Sequence, residues 1–400
     1  MGSSSETMLT VNAGSSSLKV ELLVFSEALT SDSQPVVQVV VAGIGGESSV
    51  VCAAKDQPEY RNSVSAENHA EAWQIALELL AKSNAFGEVR AVGHRVVHGG
   101  TDFTNSVEID DAVQDKLAKL TALDPHHMPA ALELIALLRA QFPDIPHVAC
   151  FDTSFFRDIP RVAQMTSLPR EYESIGVRRF GFHGLSYQNL QTTFQSLAGE
   201  AAVNGRVIYA HLGSGASLVA TKNSHPQDMT MGFSPASGIL MSSRSGDIDP
   251  SLSLFLQQQK NMTAQDFDHM INFEAGLLGV SGLSNDMRVL VEAMDEHEGA
   301  REAVLLFCHQ VAKSIASLSA TIGGIDSLIF SGGIGENAPL VRKMVCQQLA
   351  YMGISLDTEA NQRHADLISS SESAIGVHVI TSHESQTIVQ EVQKLIQHKE

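Results

Sequence analysis

Cysteine, basic residues and long apolar runs are all scarce in this sequence of 400 residues. Its four cysteines include no Cys-x-x-Cys pair, so we predict neither a disulfide framework nor a cysteine metal site, and we favour the reducing cytoplasm. Lys and Arg total 26 against 45 Asp and Glu, which gives a formal net charge of −19, and no Lys/Arg-rich run occurs. A nucleic-acid-binding surface is therefore not expected.

Signals for membranes and for nucleotide-binding motifs are missing as well. No apolar run approaches the roughly 18 residues of a membrane-spanning helix, and residues 1–7 lack the regions of a signal peptide. The P-loop pattern G-x-x-x-x-G-K-[ST] is absent, and Gly213-Ser214-Gly215 precedes a strand rather than the third glycine and helix of a dinucleotide fold. We therefore predict no membrane partner, no P-loop and no dinucleotide site.

The sequence instead has the composition of a packed α/β protein. Apolar residues make up 44%, charged residues 18%, and 30 residues are glycine. At about 150 residues per domain the length favours two or three domains. Residues 8–22 predict a strand, a polar loop and a second strand, and residues 207–220 repeat that pattern, so we expect two related halves with a boundary near residue 155.

Three loops rich in Gly and Ser each follow an apolar strand, at residues 12–17, 211–216 and 331–337. Such loops turn backbone N–H groups toward an anion and let it approach closely, which is typical of phosphate binding. Ordinary tight turns remain the alternative for each loop taken alone.

Two arginines and several other polar side chains occur where a sheet places ligand-facing groups. Arg95 lies within an apolar strand and Arg244 beside a glycine turn, so each is either paired with an aspartate or aimed at an anionic substrate. His183 lies between two glycines, and His127 and His211 are weaker candidates. Two acidic residues follow predicted strands and could bind Mg²⁺ with phosphate oxygens, with helix capping as the alternative for the first: Asp152 and Glu384.

Taken together and in order, these segments resemble the acetokinase family, which lies in the actin, Hsp70 and sugar-kinase fold group. The resemblance runs nearly end to end, through residues 12–19, 93–100, 151–153, 178–184, 211–213, 231–233, 244–250 and 332–337. It implies a two-domain α/β, actin-like ATPase/kinase (ribonuclease-H-like, duplicated) fold with an interdomain active-site cleft, in a homodimer. The implied reaction is the reversible transfer of phosphate from ATP to acetate, giving acetyl phosphate and ADP.

The resemblance also implies two domains and roles for particular residues. Residues 1–155 with 385–400 would form an N-terminal domain on the acyl and Mg²⁺ side, and residues 156–384 a C-terminal domain for nucleotide binding and dimerisation. Arg95 and Arg244 would hold the carboxylate and the phosphoryl group, with His183 stabilising developing charge. Mg²⁺ (or Mn²⁺) would be organised by Asn12, Asp152 and Glu384.

Substrate contacts are implied by the same motifs. The acyl pocket would be lined by Val97, His126, His127, Phe182 and Pro235. ATP or ADP would contact one residue after the first loop, the second and third loops, and a segment between those two loops: Lys19, His211, Leu212, Gly213, Ser214, Gly215, Asp286, Met287, Arg288, Gly333, Ile334, Gly335, Glu336 and Asn337.

Several positions depart from the family pattern and keep alternatives open. His126 and Met128 replace the usual Leu and Asn around His127, Phe156 replaces a His, and Ser214 replaces an Asn. Because His126 would place an ionisable group against a methyl pocket, propionate or another short acid is an alternative to acetate. A nucleotide-gated binding protein with little turnover, and a hydrolase of acyl phosphate or pyrophosphate, are further alternatives.

Overall fold

The protein's structure, a computed structural model, describes residues 6–24, 35–55, 57–83 and 89–397. These residues form the mixed α/β architecture predicted from the sequence, with two separate sheets and helices packed against them.

The first sheet has eight strands. They are β1 (Thr7–Ala13), β2 (Ser17–Val24), β3 (Val37–Ala42), β4 (Ser48–Ala54), β5 (Tyr60–Val64), β6 (Val89–Val96), β7 (Val107–Glu108) and β8 (His147–Phe151). Their order across the sheet is β5-β4-β3-β2-β1-β6-β8-β7. The strands from β1 to β5 pair antiparallel in chain order, whereas β6 is parallel to both β1 and β8.

The second sheet has five strands. They are β9 (Arg206–Leu212), β10 (Ala216–Lys222), β11 (His225–Met229), β12 (Ser327–Ser331) and β13 (Gly376–Val379), in the order β11-β10-β9-β12-β13. As in the first sheet, a hairpin of the first two strands is extended by a later strand parallel to the first, because β12 pairs parallel with β9. The repeated strand–loop–strand pattern of the sequence therefore has the same pairing in both sheets.

The α-helices alternate with these strands and dominate the second half of the chain. In chain order they are α1 (His69–Lys82), α2 (Asp111–Lys119), α3 (Met128–Gln141), α4 (Arg161–Gln164), α5 (Gly184–Ala198), α6 (Glu200–Val203), α7 (Ser251–Lys260), α8 (Ala264–His269), α9 (Gly276–Ser281), α10 (Met287–Ala293), α11 (Glu298–Ile322), α12 (Gly332–Asn337), α13 (Pro339–Gln348), α14 (Thr358–Gln362) and α15 (Glu384–Gln397). Short 3-10 turns cover Leu120–Ala122, Asp152–Phe156, Arg170–Ile175 and Ala350–Met352, and a π-helical turn covers Met270–Glu274.

The chain divides into two compact units, each containing one sheet. The first comprises Met1–Arg157, Gly184–Asn189 and His383–Glu400, and the second comprises Asp158–His183 and Leu190–Ser382. The start of α5 thus belongs with the first unit, a return of the chain that the sequence did not indicate. Gly184 explains it: a Cβ there would lie 2.0 Å from the carbonyl oxygen of Asp152, so only glycine allows this approach.

Apolar side chains cover both faces of the first sheet. On one face Val20 and Val39 pack with Trp73 of α1 and Leu138 of α3. On the other face the terminal helix α15 lies against the sheet, contributing its apolar stripe to a cluster made up of Met8, Leu23, Ala91, Val148, Cys150, Leu185, Ile388, Val389 and Val392. Because α15 packs this closely on β6, it fixes the position of residues at its own N-terminus.

Helix α11 is the core helix of the second unit. By length and composition alone it is the one helix among the described residues that could cross a membrane, although half of its most apolar stretch is buried within the fold. Its buried residues recur at helical spacing, including Ala303, Phe307, Val311 and Ile315, and it packs on β9, β10 and β11. Polar residues such as His309, Gln310 and Lys313 interrupt this stretch, so it is not a continuous apolar run, and the buried face of α11 belongs to a protein core.

Replacing Gly93 with Ala is expected to destabilise the first unit. A Cβ at this position of β6 would lie 2.3 Å from Cγ2 of Ile388 and 3.1 Å from Cγ2 of Val392, so α15 must shift. We expect Gly93→Ala to lower the free energy of unfolding by about 1–3 kcal/mol in denaturant titration. Gly46→Ala is the control, because its nearest neighbour would be 3.7 Å away. Equal stability of the two variants would contradict this packing.

Candidate active site

Four polar residues meet at one edge of the first sheet, and we call them the Arg95 cluster: Asn12, Arg95, Asp152 and Glu384. Asn12 lies near the end of β1, Arg95 near the end of β6, and Asp152 directly after β8. These three strands are parallel neighbours, so their carboxyl ends lie at the same edge, where α/β sheets place ligands. Glu384 is the first residue of α15 and joins them from the far end of the chain.

Arg95 is the centre of this cluster. Its Nη2 donates to Oδ2 of Asp152 at 2.7 Å, and its Nε donates to the same oxygen at 3.1 Å. Its Nη1 donates to Oδ1 of Asn12 at 3.1 Å and lies 3.5 Å from Oε2 of Glu384. Asn12 in turn donates from Nδ2 to Oε2 of Glu384 at 3.1 Å. One guanidinium thus holds two carboxylates and an amide in a single network.

Burial sets the electrostatics of this network. Burial opposes the charge of Arg95, but Asp152 and Glu384 outweigh it and raise the pKa of the guanidinium. Burial is also the largest influence on Asp152 and raises the pKa of its carboxyl; Glu384 raises it further, while Arg95 and a backbone hydrogen bond from Leu185 act in the opposite direction. Arg95 therefore stays charged, and Asp152 depends on Arg95 for its ionised form.

The structure gives the contacts of Arg95 and Asp152 within the protein. Arg95 is paired with Asp152 at the sheet edge, and its contact with an anionic substrate remains a prediction. The carboxylate of Asp152 accepts from Arg95 and from the backbone of Leu185 near the start of α5, and its part in binding Mg²⁺ also remains a prediction.

The donors in this cluster fit an oxygen-preferring cation only in part. Mg²⁺ is usually bound through one or two carboxylates with substrate phosphates and waters completing its shell. Glu384 and Asn12 supply such oxygens, whereas both oxygens of Asp152 already accept from Arg95. Among the described residues no group of three or more His, Cys, Asp or Glu is arranged as a metal site, so a cation here would rely on ligands that the substrate brings.

A second group of residues gathers in the second unit, and we call it the His183 cluster: His183, His211, Gly215, Ser217 and Arg244. His183 has a left-handed backbone conformation, with φ of 60°, and immediately precedes α5. Its Nδ1 lies 2.8 Å from Oγ of Ser217, and its ring stacks on that of His211 with centroids 4.6 Å apart. These two contacts fix the imidazole in one orientation.

Gly215 allows the imidazole of His183 and the guanidinium of Arg244 to approach the loop. A Cβ on Gly215 would lie 3.1 Å from Nε2 of His183 and 3.3 Å from Nη2 of Arg244. Arg244 also donates from Nη1 to the carbonyl oxygen of Pro235 at 2.7 Å. The backbone of the second glycine loop thus faces an imidazole and a guanidinium, the groups that stabilise a phosphoryl group.

The prediction of a loop at 331–337 is wrong, because Ser331 ends β12 and Gly332–Asn337 form the short helix α12. The second glycine loop and the start of α12 are adjacent because β9 and β12 are parallel neighbours. A Cβ on Gly332 would lie 2.7 Å from the carbonyl oxygen of Leu212, and a Cβ on Gly213 would lie 3.9 Å from the backbone nitrogen of Gly333. Glycine at these positions brings two backbone turns side by side. The two segments are therefore packed against each other, and their binding of an anion remains a prediction.

Some predicted nucleotide contacts have roles within the protein. Oε1 of Glu336 accepts from the backbone N–H of Gly332 at 2.8 Å, at the start of α12. Asp286 caps α10 and pairs with Arg288 at 2.6 Å, and Met287 is buried. Lys19 lies opposite Asn12 in the β1–β2 hairpin and pairs with Glu21 at 3.1 Å. Their contacts with nucleotide remain predictions.

The predicted acyl-pocket residues lie in both units. Val97 and Phe182 are buried, Pro235 contributes the carbonyl that Arg244 contacts, and His126 is half-buried. His127 precedes α3 and is hydrogen bonded to Asp124. That these five side chains line one pocket remains a prediction.

Sequence reasoning missed three residues that the structure ties to the predicted site. Ser217 contacts His183, and Asp124 contacts His127. Arg342 of α13 is fully buried and donates from Nη1 to the carbonyl oxygens of Gly335 and Glu336 at 2.8 and 2.7 Å. The three-residue spacing of Asp124 and His127 is a usable signal in the sequence, whereas nothing local distinguishes Arg342 from a surface helix residue.

The chain is similar to known proteins over nearly its whole length. The profile of the Acetokinase family matches residues 7–390. The chain belongs to the acetokinase family. An acetate kinase of Rhodopseudomonas palustris is 38% identical over 395 residues, covering 98% of each chain, and a propionate kinase of Citrobacter rodentium is 36% identical over 396 residues, covering 98% of this chain and 97% of that one. The crystal structure of a propionate kinase from Francisella tularensis superposes with a TM-score of 0.89 at 32% identity, covering 96% and 98% of the two chains.

Membership of the acetokinase family confirms the resemblance stated from the motifs, and the two clusters contain residues from several of those motifs. Asn12, Arg95 and Asp152 lie in the first cluster, and His183, His211 and Arg244 in the second.

Removal of the two arginines is expected to affect stability unequally. Arg95→Ala leaves the buried carboxylate of Asp152 without its cation, which costs about 3–5 kcal/mol of unfolding free energy. Arg244 is half-buried and donates from Nη1 to the neutral carbonyl of Pro235. Arg244→Ala is therefore expected to lower the free energy of unfolding by less. Both variants should lose most acetokinase activity, measured beside urea unfolding. Equal unfolding free energies would contradict the role given to Arg95.

Proposed function

We propose that this protein catalyses the reversible, direct in-line transfer of the γ-phosphoryl group of ATP to a short-chain carboxylate, with acetate as the first candidate and acetyl phosphate and ADP as products. The observation that carries the proposal is the Arg95 cluster, in which a charged guanidinium is held at a sheet edge by Asp152, Asn12 and Glu384. A guanidinium in this place matches a carboxylate or phosphoryl oxygen.

The chemistry asks little of the protein beyond positioning and neutralisation of charge. A carboxylate is already a nucleophile, so no strong base is required, and a loose phosphoryl-transfer transition state is stabilised mainly by groups that meet its oxygens. Arg95 orients the acid, and Arg244 and His183 neutralise the charge that develops on the transferred group. The contact of His183 with Ser217 keeps its imidazole ready for that role.

The glycine loops are the proposed site for the phosphates of ATP or ADP. The loop from His211 to Gly215 would bind the β- and γ-phosphates through backbone N–H groups, and Ser214 would provide a shorter side chain than the usual Asn. Residues 333–337 in α12, together with Asp286, Met287 and Arg288, would contact the adenosine.

A divalent cation, Mg²⁺ or Mn²⁺, is part of the proposal. When bound, it would neutralise phosphate charge and help align the reacting oxygens. Glu384 and Asn12 are the residues proposed to hold it, with Asp152 acting through Arg95. The protein offers few oxygen ligands of its own, as expected for a cation whose remaining ligands are phosphate oxygens of the nucleotide and water.

Propionate is the second candidate acid, because relatives of similar identity are named as acetate kinases and as propionate kinases. His126 is the position in this chain that bears most directly on the choice. Its half-buried imidazole replaces the Leu usual in the family, and we propose that it makes the pocket more polar than one lined by alkyl groups alone.

A panel of short acids assayed by hydroxylamine trapping of the acyl phosphate tests the reaction and the acid together. We expect ATP-dependent product with acetate or propionate, and we expect His126→Leu to raise kcat/KM for these acids several-fold relative to hydroxylated acids, because an apolar wall suits an alkyl group. His225→Leu, at an exposed histidine of β11, is the matched control. Phosphate release without an acid would indicate a hydrolase, and nucleotide binding without acid-dependent ADP release would indicate a binding protein.

We also propose that the protein is a cytoplasmic homodimer. Helix α7 carries three exposed apolar side chains within ten residues, Leu252, Leu254 and Phe255, and a cluster of this kind is typical of a surface that a partner covers. The four cysteines are all free, as expected for a reducing compartment.

A charge on α7 is expected to weaken such a dimer. Leu254→Glu should shift the mass measured by light scattering from dimer toward monomer at micromolar concentration, because burying a carboxylate in an apolar contact is costly. Tyr351→Glu places the same charge at another exposed apolar residue and should leave the mass unchanged. A monomeric parent protein, or a dimer unaffected by Leu254→Glu, would contradict the assignment.

A further inference from the structure

Asp124 is a buried carboxylate between the turn Leu120–Ala122 and helix α3, with 2% of its surface exposed. Its Oδ1 lies 2.8 Å from Nδ1 of His127 and accepts the backbone N–H of the same residue at 3.3 Å. Its Oδ2 is buried and has no hydrogen-bond partner among the described residues. The imidazole of His127 is therefore its main polar contact.

The carboxylate remains ionised despite this burial. Burial alone would raise the pKa of Asp124, but the hydrogen bonds and charge of His127, with a smaller contribution from His98, hold the pKa below its usual value. His98 and His127 are thus the two titratable groups that act on it. An anion kept in this position holds a proton on the nitrogen that faces it.

This contact determines which nitrogen of His127 can act on a ligand. Because Nδ1 faces a carboxylate, it carries a proton, and Nε2 is the nitrogen left for another partner. The same bond restricts rotation of the ring, whose side chain is 15% exposed. An imidazole with a fixed tautomer and orientation can make the same contact with every substrate molecule.

Helix capping alone does not account for the geometry. Asp110 shows what a simple cap looks like in this chain: its side chain accepts the backbone N–H of Val113, three residues later, at 2.7 Å. At Asp124 the equivalent backbone contact is longer, at 3.3 Å, and the shorter contact is with the imidazole. The residue at the cap position of α3 is His127 itself.

We propose that Asp124 is a positioning residue for His127: it holds the Nδ1–H and so fixes the orientation of the ring, which keeps Nε2 directed to the acyl side of the reaction. The proposal rests on the proposed function in assigning His127 to the acyl side of the reaction. Asp124 itself does not touch the substrate and acts through the imidazole.

Three variants test the proposal kinetically. We expect Asp124→Ala to lower kcat/KM for the acid by about tenfold or more, the scale of a lost charge-assisted hydrogen bond, with the KM for ATP unchanged. Asp124→Asn keeps an oxygen that can accept from Nδ1–H and should restore part of the loss. Asp110→Ala, the matched cap removal, should lower thermal stability without changing kcat/KM. In a His127→Ala background, Asp124→Ala should have little further effect on kcat/KM.

A second measurement separates this proposal from the proposed function. In protein labelled with ¹⁵N-histidine, NMR at neutral pH should show the Nδ1–H tautomer for His127 in the parent and a shift toward the Nε2–H tautomer in Asp124→Ala. Loss of stability in Asp124→Ala with unchanged kcat/KM, or an unchanged tautomer, would overturn the role of Asp124. A parent protein without acid-dependent kinase activity would instead overturn the proposed function, and the tautomer result would still decide whether Asp124 controls His127.

Discussion

The bidentate pairing of Arg95 with Asp152 is the interaction on which the rest of the Arg95 cluster depends. Asp152 is fully buried, and a buried carboxylate is tolerated only with a cation and hydrogen bonds around it. The same guanidinium reaches Asn12 and Glu384, so residues from β1, β6, β8 and α15 are drawn to one point. The pairing that accommodates a buried carboxylate thereby also fixes a guanidinium at the sheet edge.

The local charge at the predicted site differs from the net charge of the molecule. A net charge of −19 describes the surface as a whole, whereas an anionic ligand responds to the field at its own site. Arg95, Arg244 and Arg342 each lie beside one of the predicted ligand-binding segments. The hydrogen bonds of Arg342 are with neutral acceptors, the side-chain and backbone oxygens of Asn361 and the backbone oxygens of Gly335 and Glu336. An acidic protein can therefore bind an anionic ligand with few arginines, provided that they lie at the binding site.

The parts of this structure that could be predicted are those that local sequence determines. Apolar strands ending in a polar residue or a glycine loop indicated the positions of Arg95, Asp152 and the loop at Gly213, because strand periodicity and turn chemistry act over a few residues. Contacts between distant segments could not be predicted in this way. The return of Gly184–Asn189 to the first unit involves an approach so close that a Cβ on Gly184 would lie 2.0 Å from the carbonyl oxygen of Asp152, and only the folded chain reveals it. The buried Arg342 donates to Asn361, nineteen residues away.

The position of α15 has a consequence for how the protein is made. Glu384 and the apolar stripe of α15 belong to the first unit, yet in the chain they follow the whole of the second sheet. During synthesis, domains generally fold as units from the N-terminus, but here the first sheet has one face uncovered until the ribosome has translated more than two hundred further residues. That face of β6 and its neighbours is covered only once α15 has been made, and α15 then also supplies the final carboxylate of the Arg95 cluster.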